Sequence, residues 1–398
     1  MLACTLQIDA HKRVRGYRMR WSAAGGAATG AANARALLAC LARQFESAPG
    51  GWQPDGLPVH LGMTVEALFL PELLTLPSQG FVVDLAQEPA IDEGTRAMLG
   101  FLREQGFGVM LGAAAVLQDD GELLRVATHL DVGAADQALL DALREKLPEG
   151  APGPQFVASR LAGWDDFARL ASQQVDVFAD GAHGAPPVQV KNGELQPEAA
   201  QIVHLMQMVK RDERMAAIET ALKHDAAITY RLLRHMNSPA VGAGVQITSM
   251  RHAVTMLGYT PLLRWLALLL ATSNGASAPY MMRRSILRGR FAELLGRGLL
   301  PDTDSDGLFV AGMFSLIDQL LGLPMAEVMD KLQLSDMVQK AIVSRQGVYG
   351  PFIALVEACE HGDRQAGALA EALFVGADEV NAAHLHALAW SQEVSGAC

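Results

Sequence analysis

The stretch Gly181–Pro197 constrains the fold most, because it holds Pro186, Pro187 and Pro197 among Gly and Asn and no periodic pattern crosses it. Proline fixes φ and removes a backbone donor, so neither a helix nor a central strand runs through such a segment. The two sides of the stretch read differently. On the N-terminal side, Val59–Leu61 and Phe81–Leu85 read as buried strands, with Gly108–Leu111 and Phe156–Val157 as shorter ones. Helical windows lie between and around them: Ala31–Phe45, Asp92–Gln105, Ala135–Leu147 and Trp164–Gln173. Such alternation predicts parallel βα units, hence a barrel or a doubly wound sheet.

On the C-terminal side the spacing is helical throughout. Ile202, Leu205, Met206 and Val209 recur at helical intervals, as do Met215, Ile218 and Leu222. Leu262–Leu270 is apolar on nearly every face and predicts a central buried helix. Further helices are expected over Met281–Leu300, Gly307–Leu321, Met325–Lys331, Ser335–Ser344, Pro351–Glu360 and Gln365–Ala377. The 398 residues thus divide into 1–185, a linker 186–197, and an all-α part 198–398.

Charge narrows the function. The net charge of −11 argues against a nucleic-acid partner. Residues 200–300 carry 13 basic against 5 acidic side chains, and residues 301–398 carry 4 against 14. These blocks predict salt bridges between segments or with a partner. Cys4, Cys40, Cys359 and Cys398 form no CxxC pair, which removes zinc-ribbon and thioredoxin readings. The N-terminus has no apolar core of a signal peptide. The run Trp265–Ala271 is far short of the roughly 20 residues of a membrane span. A cytoplasmic protein with reduced thiols, without membrane insertion, is expected. Asp302–Gly307 resembles the start of a calcium loop, but the twelfth position is Met313 where bidentate ligation needs Glu. A solvated loop capping a helix from Gly307 is expected instead.

The segment HDAAITYRLLRHMNS, followed by ITSMRHAVTMLGYTPLLRWLALLL, resembles the HDOD domain. The resemblance is carried by Asn237-Ser238, Ile247-Thr248-Ser249, Ala253-Val254 and Leu257-Gly258 in that order. It covers roughly residues 200–363. HDOD domains are similar in fold to HD-type metal phosphohydrolases, which need adjacent His and Asp on one helix. Ser315-Leu316 stand at that pair here, a pair with neither the imidazole nor the carboxylate that would hold the ion. His204, His224, His235 and His252 show no metal spacing.

The N-terminal half resembles the EAL domain, the barrel of cyclic di-GMP phosphodiesterases. In the register that the resemblance implies, the signature falls on Gly16–Arg20, with Gly16 at the metal-binding Glu and only Arg20 retained. The family's Asn falls on Gly62, its acidic strand end on Asp84 and Gln87, and its paired Asp on Gly112-Ala113. Its Lys-x-Asp strand reads His129-Leu130-Asp131, and its later Glu strand includes Ser159. Two-metal hydrolysis needs several converging carboxylates, and only Asp84 and Asp131 remain.

The resemblance therefore implies an EAL-like, TIM-type α/β barrel followed by an all-helical, HD-like HDOD domain. It implies a bacterial signal-transduction or scaffold protein that is not an enzyme, takes no cofactor or metal, and acts through contact with another signalling protein. A cyclic di-GMP-binding effector without hydrolysis is the alternative, and a residual phosphodiesterase the third reading. The candidate interaction face comprises Arg231, Arg234, Asn237, Ser238 and Arg251.

Overall fold

A computed structural model describes residues 1–22, 30–46, 56–88, 90–147, 153–179, 195, 197–223, 225, 228–232, 258–273, 279–332 and 334–397. The N-terminal part is a closed eight-stranded barrel in which neighbouring strands follow chain order. Its strands are β1 (Leu2–Ile8), β2 (Val14–Trp21), β3 (Val59–Gly62), β4 (Phe81–Leu85), β5 (Gly108–Gly112), β6 (His129–Asp131), β7 (Gln155–Ala158) and β8 (Val177–Phe178). From β2 to β8 every pairing is parallel. β1 runs antiparallel to both β2 and β8 and closes the barrel.

The β1–β2 reversal is organised by Asp9. Its carboxylate accepts from the backbone N–H of His11 and Arg13 and from the Nε of Arg13 and Arg15, all at 2.8–2.9 Å. A carboxylate that binds its own turn in this way makes a tight connection from a sequence without Asn-Gly or Gly-Gly. The helices α1 (Gly30–Glu46), α2 (Glu93–Glu104), α3 (Ala113–Gln118), α4 (Glu122–Val126), α5 (Gln137–Glu145) and α6 (Trp164–Ser172) follow the strands. α2 and α5 begin where Asp92 and Asp136 accept the N–H three residues on, the expected N-cap bond. Their buried Leu99, Leu102, Leu140 and Leu143 recur at helical spacing. Inside the barrel Val82, Met110, Val157, Val177 and Ala179 form one apolar cluster.

The C-terminal part is all helical: α7 (Pro197–Lys210), α8 (Met215–Lys223), α9 (Tyr259–Ser273), α10 (Pro279–Gly296), α11 (Asp302–Phe314), α12 (Ile317–Leu321), α13 (Met325–Leu332), α14 (Asp336–Ser344), α15 (Gly350–His361), α16 (Ala366–Ala372) and α17 (Ala377–Ala397), with a helical turn over 228–232. The barrel-plus-helical fold class is thus as expected. Two local expectations are corrected. Helix α11 starts at Asp302 rather than Gly307, because Asp residues suit the positive end of a helix. The expected single helix to Leu321 is broken at Ser315-Leu316, where Leu316 leaves helical geometry.

Compactness divides the chain into two units without a single cut. Residues 1–188 group with 278–287 and 354–397, and residues 189–277 group with 288–353. In the first unit the C-terminal helix is tied to the barrel. Leu2 N–H donates to Asn381 Oδ1 at 2.8 Å, and Gln392 Nε2 donates to the Tyr17 hydroxyl at 2.9 Å. In the second unit α10 and α11 cross at two glycines. A Cβ on Gly312 would lie 2.7 Å from the Arg288 carbonyl oxygen and 2.8 Å from Gly289 Cα. Both are backbone atoms, so the helices themselves must part. Gly312→Val is expected to lower stability by about 1–3 kcal/mol, the usual cost of overpacking, read as a lower denaturant midpoint at unchanged slope.

Candidate functional site

Side chains two apart on a strand share a face. On β2 this places Gly16, Arg18 and Arg20 together, and on β6 His129 and Asp131. Gly62, Asp84, Gly112, Asp131 and Ser159 all lie at the C-terminal ends of parallel strands β3 to β7, or one residue beyond. They therefore gather at the end where parallel barrels carry their sites.

Each position has a definite surrounding. Gly16 has no room for a side chain, since a Cβ there would lie 2.6 Å from Gln7 Oε1 and 2.7 Å from the Pro58 carbonyl oxygen. Arg20 is half-buried, and its stem lies across Gly62, where a Cβ would approach Arg20 Cγ to 2.7 Å. Gly112 lies against the Ala86 carbonyl oxygen, and Ala113, buried, opens α3. Gln87 is exposed in the turn after β4.

Asp84 and Asp131 are both buried. The Arg18 Nε donates to Asp84 Oδ2 at 2.6 Å, and both side chains are at most 2% exposed. The other Asp84 oxygen accepts from the Ala86 N–H at 3.1 Å. Burial pushes the Asp84 carboxyl above its ordinary pKa, against the lowering effect of Arg18. Asp131 accepts from the Ser159 hydroxyl at 2.7 Å and from the Gly133 N–H at 2.8 Å. His129 bonds through Nδ1 to the Thr128 hydroxyl at 2.8 Å and meets the His60 ring edge-on at 4.7 Å. Burial lowers the His129 pKa to about 4, and pushes His60 well below its ordinary value with help from His129 and Arg18. Both imidazoles are neutral at pH 7. Sequence reading passed over Arg18 and His60; an Arg two residues before Arg20 signals a shared face, but not its buried partner.

In the helical part Ser315 is buried. Its hydroxyl accepts from Arg288 Nη1 at 3.0 Å and donates to the Gly312 carbonyl at 2.7 Å. Leu316 is buried beside it. Arg231 is exposed and pairs with Glu198 at 2.7 Å. Arg234, Asn237, Ser238 and Arg251 lie outside the described residues.

Divalent ions, which an EAL barrel with its full set of carboxylates would hold, do not fit the donors present. Gly16, Gly62, Gly112 and Ala113 offer no side-chain oxygen, and Asp84 already holds a guanidinium. Among the described residues no group of three His, Cys, Asp or Glu could hold a metal. No described helix is long and apolar enough to cross a membrane.

Residues 195–342 match the HDOD domain family. The chain is 28% identical over 257 residues to the cyclic di-GMP phosphodiesterase CdgJ of Vibrio cholerae, across 64% of this chain and 59% of that protein. It is 21% identical over 316 residues to the uncharacterized protein YuxH of Bacillus subtilis, across 77% of each. Among solved structures, the PaMucR phosphodiesterase in complex with c-di-GMP superposes with a TM-score of 0.32 at 11% identity, over 45% of this chain and 88% of that one. The likeness to CdgJ corrects the expectation that the chain is not an enzyme. A related protein is named a phosphodiesterase, so that exclusion does not stand. At 28% identity the likeness does not assign the activity to this chain either. The chain carries an HDOD domain and is related to cyclic di-GMP signalling proteins.

Proposed function

We propose that the chain acts in cyclic di-GMP-linked signalling, with the barrel mouth as the place where the nucleotide is received and the HDOD domain as the module that contacts another signalling protein. The observation that carries this reading is the charge arrangement at the strand ends. Asp84 is neutralised from within by Arg18, and Asp131 is held by two hydrogen bonds, while Arg20 is half-buried at the same end and Arg160 is exposed beside Gly133. A phosphodiester arriving there meets more guanidinium than uncompensated carboxylate, and planar guanidinium suits phosphate oxygens. The name of the relative CdgJ supports the choice of nucleotide. The three described thiols, Cys4, Cys40 and Cys359, are buried and unpaired, which suits a reducing cytoplasm.

Calorimetric titration of the full chain with cyclic di-GMP tests the reading. Saturable binding is expected, weakened roughly tenfold or more in Arg20→Ala, the scale of one hydrogen bond to a charged group. Absence of binding to the wild type sinks the proposal. Chromatography for the linear product in the same samples reads whether CdgJ's named activity accompanies binding.

A further inference from the structure

The misfit between divalent ions, which an EAL barrel with its full set of carboxylates holds, and the donors present here has a specific physical content in Arg18. It stands on β2 two residues before Arg20 and is turned into the barrel, where its Nε reaches Asp84 Oδ2 at 2.6 Å. An ion bound to that oxygen would lie within a few ångström of a permanent positive charge, and at low dielectric such repulsion is large. The second carboxylate, Asp131, has its own donors in Ser159 and Gly133. Two buried carboxylates at one barrel end would repel each other without a cation. Arg18 supplies one that cannot dissociate.

We propose that Arg18 is a built-in cation, fixed to β2, that takes the charge-neutralising place of a divalent ion at Asp84. The barrel then holds its two interior carboxylates together without metal at this position. This goes beyond the nucleotide reading and stands whether or not cyclic di-GMP binds.

Thermal unfolding of the chelator-treated full chain, alone and with millimolar manganese, tests it. The readout is the manganese-dependent rise in melting temperature. In Arg18→Met the Asp84 carboxylate loses its guanidinium and is bared to the ion, and ions that bind only the folded state raise its melting temperature by mass action. Arg18→Met is expected to melt lower than wild type in chelator and to gain several degrees more from manganese than wild type does. Equal gains in the two proteins overturn the proposal. If Arg18→Met does not fold in either condition, the paired variant Arg18→Met with Asp84→Leu decides. It removes both charges together, so it is expected to melt close to wild type and gain no more from manganese. A paired variant that also fails to fold shows that Arg18 acts by packing, and the proposal falls.

Discussion

A chain ending at Gly376 will show no cooperative melting transition of the barrel. The missing helix, α17, belongs to the same compact unit as the barrel. Its Val380, Leu385 and Leu388 are buried. Burial of each such side chain stabilises by about 1.5–3 kcal/mol, so their loss alone is roughly 5–9 kcal/mol. Two hydrogen bonds go with them: Asn381 to the Leu2 N–H, and Gln392 to the Tyr17 hydroxyl. Leaving that N–H buried without a partner costs about 1–3 kcal/mol more. The Arg43–Asp378 pair adds little, since both side chains are more than half exposed. The sum is on the scale of the whole stability of an ordinary domain, about 5–15 kcal/mol. Circular dichroism melting and limited proteolysis of the shortened chain read the outcome. A cooperative melt within a few degrees of the full chain would show that the barrel closes without its C-terminal helix.

That helix also marks where sequence reading stops short. Buried strands such as β4, with FVVDL, are legible because apolar and β-branched residues run together. In α17 the buried face carries Asn381, His384, Ser391 and Gln392, which interrupt the apolar stripe. Asn381 and Gln392 are there because β1 and β2 offer partners 379 and 375 residues away, which no local pattern announces. β2 is obscured in a similar way. VRGYRMRW has an arginine at every second or third position and reads as a solvated face, yet Arg18 is buried on Asp84. The succession of strands that carry Gly62, Asp84, Gly112, Asp131 and Ser159 is legible in part, and these five residues lie at one end of the barrel. What sits between them is not, because strand register decides which side chains face inward. The charge blocks are half-informative. Arg284 pairs with Glu360 across the basic and acidic segments, but the cluster of three arginines on one carboxylate lies wholly inside the basic block.

That cluster centres on Glu293 and yields the second large effect. Glu293 accepts from Arg264 at 3.1 and 2.8 Å, from Arg290 at 2.9 Å and from Arg297 at 3.0 Å. Its side chain is 5% exposed, against 21% and 18% for Arg264 and Arg290. Arg297 is more than half exposed and contributes least. Arg264 also stacks over the Phe309 ring at 4.1 Å, so its guanidinium is fixed between an aromatic face and one carboxylate. Glu293→Ala leaves two largely buried guanidinium groups facing each other without their shared anion. Breaking a buried pair from one side costs about 3–5 kcal/mol, and that loss of unfolding free energy is expected here. The pH dependence separates charge from packing. Burial pushes the Glu293 carboxyl up, but Arg264 and Arg290 outweigh it, so its pKa in the folded chain lies below its ordinary value. A lowered carboxyl pKa stabilises fully above the unfolded value of about 4.3 and loses that contribution as pH falls through the folded value. The stability gap between wild type and Glu293→Gln, which keeps the shape, should therefore be full at pH 6 and shrink below about pH 4. A gap that stays constant with pH would assign the loss to packing instead of to the charge shared by the arginines.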